Sequence, residues 1–161
     1  MKTYIVNPDN GQLVSIEDWR KESDPTRAQL LALELDNGHA LLVSKSYLPG
    51  KYTFEETQKA CAAFNPGIQG FNVFTFRAPT RKECIDLYDA RFLAGLDEAV
   101  ELTGGNFAHN PGGNWFWTSE KDADPRYNTN SAWFFHGDYG NAGSYDLFYG
   151  GYQALPVALY K

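Results

Sequence analysis

A chain of 161 residues suits one domain with room for a sizeable core. Its 14 Lys and Arg against 20 Asp and Glu leave a net charge of −6, which argues against a phosphate-backbone partner that would need clustered cations. Aromatic residues are 16% of the chain, so where the rings lie decides whether they fill a core or form a binding surface.

The opening, MKTYIVNPDNGQ, lacks a charged segment followed by an apolar one, so no secretory signal is expected and no compartment is fixed. A cytoplasmic or phage-particle location is expected ahead of classical secretion. No run reaches the roughly 18 apolar residues of a membrane span. Residues 1–27 read as a lead-in: a short strand Tyr4-Ile5-Val6, a turn from Pro8 to Gly11, and a polar stretch ending near Pro25. The domain proper is expected over 28–161.

Residues 30–46 predict a hairpin, because apolar runs flank the Asn37-Gly38 pair. Residues 53–64 predict a helix opened by a Thr53–Glu56 capping box. Phe54, Thr57, Cys61 and Phe64 share its apolar face, and Asn65-Pro66-Gly67 stops it. A second capping box, Thr80 with Glu83, opens a helix whose apolar face is read as Cys84, Ile85, Tyr88 and Phe92. The helical pattern resumes at GLDEAVEL and stops at Gly104-Gly105. Two cysteines, Cys61 and Cys84, are too few for a disulfide framework; buried free thiols are the ordinary reading, and a bridge would need an oxidising compartment.

After Asn106 the composition turns strand-like. Residues 114–120 and 131–136 alternate, and 154–160 reads as a closing strand. Helices in the middle and strands at both ends indicate an α+β fold with antiparallel sheets. In SAWFFH, alternation places Trp133 and Phe135 inward and Phe134, His136 and Asp138 outward. The glycines between 137 and 151 argue against a long regular strand there, so loops are expected to carry the tyrosines.

The order of these pieces resembles a known family. The Leu-rich hairpin with an Asn-Gly-His turn is followed by a Thr-capped helix holding a Cys. Then come Arg77-Ala78-Pro79-Thr80, Trp117-Thr118-Ser119-Glu120, Ala132-Trp133 with Gly140-Asn141 after it, and Pro156-Val157-Ala158. Over residues 28–161 this ordered set is similar to the Lcl C-terminal-domain family, bacterial and phage modules of C-type-lectin-like fold. Ala78 stands where that family usually has Leu, and Leu159-Tyr160 stands near where it often has Arg. The resemblance implies two or three helices packed on antiparallel sheets, with the closing strand paired to a strand of the first hairpin. The helices from Thr53 and Thr80 should lie beneath that sheet with Cys61 and Cys84 facing the core. The loops at 137–151 and 106–114 should gather at one exposed end.

The segment from Tyr127 to Tyr160 contains no Lys, Arg or Glu; its charges are Asp138 and Asp146 among many rings, with Gly, Ser and Asn between. Antibody paratopes share that composition, since Tyr gives large amphipathic contact at low entropy cost and the small polar residues adapt around it. The candidate ligand-binding residues are therefore Phe134, His136, Asp138, Tyr139, Asn141, Tyr145, Asp146, Phe148, Tyr149 and Tyr152, with Tyr139, Tyr145, Tyr149 and Tyr152 expected to be partly solvent-accessible. The same rings could instead pad a small core. From Phe134 to Tyr152 there is no Lys, Glu, Gln, Met or Trp. Some proteins of C-type-lectin-like fold end in a region diversified by retroelements through adenine mutation of Asn codons, which would leave that gap; an ordinary loop of this composition would leave it too.

No catalytic set is named. Formylglycine-generating enzymes share only the architecture, and the late cysteines they use are missing, since none follows Cys84. His39, His109 and His136 lack metal-ligand spacing. Glu120, Asp122 and Asp124 offer oxygen ligands, but a solvated acidic loop is the ordinary reading. No cofactor is expected. The sequence thus points to a non-enzymatic module binding a protein or carbohydrate; a structural subunit of a phage tail or surface appendage is the alternative.

Overall fold

The computed structural model describes residues 1–122 and 130–160. Among them, four α-helices and two antiparallel sheets make an α+β fold. The larger sheet has the order β2 (Leu13–Ser15), β1 (Lys2–Val6), β3 (Leu30–Glu34), β4 (Ala40–Ser44), β8 (Val157–Leu159). The smaller has β5 (Trp115–Asp122), β6 (Ser131–His136) and β7 (Asn141–Asp146). Residues 1–27 supply two strands of the larger sheet, with β1 hydrogen-bonded between β2 and β3. They also supply the one-turn helix α1 (Ile16–Trp19), which, like β2, is too short to leave a periodic signal.

The β3–β4 hairpin forms where the sequence places it. Gly38 takes the left-handed conformation (φ 85°) that the tight turn requires, while Leu35 donates to the His39 carbonyl at 2.7 Å. The closing strand then pairs antiparallel with β4, Leu42 opposite Ala158 and Val43 opposite Val157, as the resemblance implies. Strand pairing covers only Val157–Leu159 rather than 154–160. Pro156 has no amide hydrogen, and its carbonyl accepts from Ser44 instead.

Both faces of the larger sheet are buried. One face, with Ile5, Leu31, Leu33, Leu41 and Val43, packs against α3 (Arg81–Leu93) and α4 (Leu96–Leu102) and against Phe116 and Phe135 of the smaller sheet. The other, with Val6, Leu30, Ala32, Leu42 and Ala158, is covered by Ile68, Phe71 and Phe76 from the chain after α2 (Phe54–Ala62). Near-continuous apolar runs in β3 and β4 follow from this double burial.

Both capping boxes are present at Thr53–Glu56 and Thr80–Glu83. The helices sit differently from expectation in two respects. Helix α2 packs against β5 of the smaller sheet, its Phe54 ring meeting Trp117 edge-on at 5.8 Å, rather than beneath the larger sheet. Helix α3 turns Cys84, Leu87 and Ala90 inward, leaving Ile85 48% and Phe92 62% exposed. The chain offers two apolar stripes on α3, and the one with smaller side chains faces the sheet, where close packing suits them. Glu83 lies on that buried side, its carboxylate bound by both terminal nitrogens of Arg77 at 2.6 and 2.8 Å. Burial opposes its ionisation, but those hydrogen bonds prevail and hold the Glu83 carboxyl below its usual value. Cys61 and Cys84 are buried free thiols facing separate apolar clusters, and burial pushes Cys61 up to about 12.

The face of α3 is directly testable. Leu87→Ala should cost about 2–5 kcal/mol in urea denaturation, whereas Ile85→Ala should stay within about 0.5 kcal/mol of wild type. Equal costs at the two positions would contradict the assignment.

Candidate functional site

The candidate residues gather on the smaller sheet and on the chain that returns from it to β8. Contrary to the expectation of loops, residues 141–146 form a regular strand, β7, fully paired to β6 from Ser131–Asp146 to His136–Asn141. Glycine does not break it because aromatic rings occupy the space its side chain would fill. A Cβ at Gly143 would lie 2.6 Å from the Phe134 ring. Rings covering glycine backbone in this way support a strand that propensity alone disfavours.

Alternation along β6 is modified by what covers each face. Phe135 is buried in the main core as expected. Trp133 is only half-buried, lying under the Arg81 guanidinium at 4.3 Å, so it is not the core residue that alternation suggests. His136 is 7% exposed and therefore not the outward-facing group anticipated. Trp115 meets it edge-on at 4.6 Å and Tyr139 stacks on its other side at 4.5 Å. A turn whose Gly140 amide bonds back to the His136 carbonyl at 2.9 Å brings Tyr139 over the imidazole.

Tyr152 also departs from expectation: at 6% exposure it is a floor residue rather than a rim residue. The returning chain is pinned by the Tyr52 amide to the Tyr152 carbonyl at 2.8 Å, and Gln153 exchanges backbone bonds with Trp115 and Trp117 at 2.8 and 3.2 Å. That pinning drives the Tyr152 ring among Trp115, Trp117, Phe134, Tyr145 and Tyr149. Burial, then the neighbouring Tyr149 and Tyr145 hydroxyls, push the Tyr152 phenol up to about 12.

The remaining candidates are exposed. Tyr139 is 78%, Phe148 67%, Tyr145 49% and Tyr149 43% accessible, and Tyr145 meets Tyr149 edge-on at 5.1 Å. Asn141 opens β7 at the surface. Asp146 accepts from the Phe148 amide at 2.9 Å, so its carboxylate shapes the turn after β7. Asp138 accepts from Asn114 Nδ2 at 3.0 Å. Asn114 is itself buried, and its Oδ1 accepts from the Tyr47 hydroxyl and the Asn110 amide, both at 3.1 Å. This chain of bonds ties the loop at 106–113 to the β6–β7 turn and brings the two segments side by side, as expected. On the helix side, Arg91 donates to the Gly137 carbonyl and to Asp97, fixing the turn to α3.

Two recesses result, with the 43%-exposed indole of Trp115 shared between them. The larger, about 390 Å³, lies between Trp115, Tyr145, Tyr149 and Tyr152, with Lys51, Gln153 and Gly112-Gly113 at its borders. The smaller, about 230 Å³, runs between Trp115, Phe134, His136 and Tyr139 along residues 141–143. Asp146 and Phe148 line neither. Trp115, Gln153 and Lys51 were absent from the candidate set. A signal existed for Trp115: alternation in NWFWTSE places it on the face of Trp117, one residue from the start of the strand.

Gln153 and His136, which border the larger and the smaller recess, each bury one side-chain atom, Oε1 and Nδ1, away from solvent with no hydrogen-bond partner among the described residues. Such an atom costs about 1–3 kcal/mol if left unpaired. Glu120, by contrast, is committed: within β5 it accepts from the Arg81 amide and Nε, both at 2.9 Å. Asp122 ends that strand rather than lying in a loop, and Asp124 lies outside the described residues. Among the described residues no three His, Cys, Asp or Glu side chains are grouped to hold a metal, and no helix is long and apolar enough to cross a membrane. Compared with protein-family models and with curated proteins, the chain matches none.

The raised Tyr152 phenol carries a linkage consequence. Its folded value lies above the ordinary value of 10, so its stabilising share is complete below pH 10 and is lost as pH climbs toward 12. Spectrophotometric titration should lose a late-ionising component near pH 12 in Tyr152→Phe; an unchanged titration curve above pH 11 would contradict the assigned burial.

Proposed function

We propose that this chain is a non-catalytic binding module of C-type-lectin-like fold that presents the aromatic face around β7 to a protein or glycan partner. The observation that carries the reading is the exposure of Tyr139, Tyr145 and Tyr149, which lean on His136 and Tyr152 of a regular, hydrogen-bonded sheet and its returning segment. Large rings held in water by a rigid frame cost solubility and add little to the core, so their use lies in contact with something else. Tyr and Trp suit that use, because each combines broad apolar area with a polar tip and few rotors to freeze.

The architecture supports the fold half of the proposal. Closing strand β8 beside hairpin strand β4 and two capped helices between the hairpin and the late strands are what the Lcl-type resemblance implies. The binding residues under this reading are the rim residues Tyr139, Asn141, Tyr145, Phe148 and Tyr149, with Phe134, His136 and Tyr152 supporting them from beneath and Asp138 and Asp146 shaping the turns. Fold likeness alone does not fix function, so the weight rests on the face itself.

Replacing Tyr139, Tyr145 and Tyr149 together with Ala should shift the melting temperature by no more than about 5 °C. The same variant should lose binding to whichever probe the wild type retains from a glycan array or a random-peptide display library. A drop of many degrees would show the rings to be core. A tight oligomer in light scattering that shields these tyrosines would instead make the face a permanent subunit interface.

A further inference from the structure

We infer that the outer edge of β7 docks an extended, basic segment of a partner protein, which joins the smaller sheet as a fourth strand. This rests on the binding-module reading above and names the conformation and charge of what that side of the molecule receives. Among the described residues the two sheets have four edges, and three of them are short or covered. Edge strand β2 is three residues long and runs straight into α1. The outer side of β8 is taken by Arg77, which exchanges two backbone bonds with Val157. The outer side of β5 is taken by Gln153, bonded to Trp115 and Trp117. Strand β7 is the fourth edge, and no described residue covers it.

Register identifies which backbone groups are free there. The Leu147 amide donates to the Asn130 carbonyl at 2.9 Å, and the β6–β7 pairs run on from that point without a bulge to His136–Asn141. In an antiparallel ladder alternate residues turn their backbone groups toward the partner strand. Asn141, Gly143 and Tyr145 therefore bond to β6, while Ala142, Ser144 and Asp146 aim their groups outward. The Asp146 carbonyl accepts from the Tyr149 amide at 3.0 Å. Both groups of Ala142 and Ser144 and the Asp146 amide have no backbone partner among the described residues, and all three residues are exposed. Donors and acceptors repeating at every second residue match the backbone of another extended chain. Edges that must stay unpaired are commonly guarded by Lys, Pro or a bulge, and β7 has none of these.

Charge narrows the occupant. Asp138 precedes the strand and Asp146 ends it, while no Lys or Arg occurs between Tyr127 and Tyr160. An incoming segment with Lys or Arg is attracted to this edge, whereas an acidic one is repelled. A second copy of the chain would bring the same two carboxylates and a further net charge of −6. Tyr145, 49% exposed, bonds its backbone to β6 and so faces the added strand as a non-hydrogen-bonded pair, in which opposed side chains approach most closely.

Selection of a random linear octapeptide library on the intact protein, followed by amide NMR titration with the synthesised winners, tests this. The selected peptides should be rich in Lys or Arg and should slow hydrogen exchange at the Ala142 and Ser144 amides. N-methylation along the peptide should abolish binding at alternate positions and be tolerated between them. Ser144→Pro, whose lost N–H points away from β6, should weaken binding about tenfold or more while keeping the melting temperature within about 5 °C. If that variant does not fold, the N-methyl series on the wild type carries the test. Peptides that bind without the two-residue period and depend on Tyr139 and Tyr149 would overturn the edge and leave the binding-module reading standing, as would binding to a glycan array alone. Acidic winners would overturn the charge assignment, and self-association that protects Ala142 and Ser144 would make the occupant a second copy instead. Binding to neither peptides nor glycans would remove both readings.

Discussion

The arrangement depends on one stretch of backbone, residues 152–159, which closes the larger sheet and bridges it to the smaller one. Every residue from Tyr152 to Ala158 is buried. Val157 and Ala158 pair with β4 on one side, and Val157 exchanges two backbone bonds with Arg77 on the other, at 2.8 and 2.9 Å. A few residues earlier the same chain is held by Tyr52, Leu48, Trp115 and Trp117. Arg77 in turn grips Glu83 at the start of α3, so the closing strand, the helix cap and the floor of the candidate site share one hydrogen-bonded frame. Backbone bonds of this kind are individually modest, but a buried donor or acceptor left without its partner is costly, so the segment has no alternative path.

That constraint sorts the aromatic residues. Phe116 and Phe135 point from the smaller sheet into the main core, meeting at 5.8 Å. Trp117 and Tyr152 point the other way into a second, smaller cluster with Phe54. Among the described residues no further layer covers the rings beyond that cluster. Trp115, Tyr145 and Tyr149 stand at its edge, leaning on Tyr152 as a buried pedestal. The site is thus the unfinished side of a packed aromatic cluster. Its rings are oriented by contacts beneath them and free on the side that faces water, the kind of preorganisation that lowers the entropy cost of binding.

Local signals were readable wherever they act through neighbours in sequence. The Asn37-Gly38 hairpin, both Thr–Glu capping boxes and the stop at Gly104 each depend on a few adjacent residues, and each stands as read, whereas α2 ends at Ala62, before Asn65-Pro66-Gly67, and leaves Phe64 off its apolar face. Tertiary contacts decided the rest. Strand β7 exists because Phe134 covers Gly143 from the partner strand, a fact that NAGSYD does not contain. His136 is buried because Trp115 and Tyr139 flank it, and Tyr152 because the returning chain is pinned across the edge of β5. On α3 the pattern held two stripes, and only the neighbouring sheet chose between them. The exposed tyrosines were legible from composition and Trp115 from alternation; the recesses beside them, with Gln153, needed the fold.

Native-state amide hydrogen exchange tests most directly whether a rigid, closed frame carries a face that is not part of its core. Amides of Tyr152 to Leu159 should exchange only through global unfolding, together with those of β3 and β4, whereas the outer amides of β7 and the turn at 147–151 should exchange orders of magnitude faster. Equal protection of β7, the 147–151 turn and the closing segment would contradict the account, because it would make the aromatic face part of the cooperative core rather than a surface held out for a ligand.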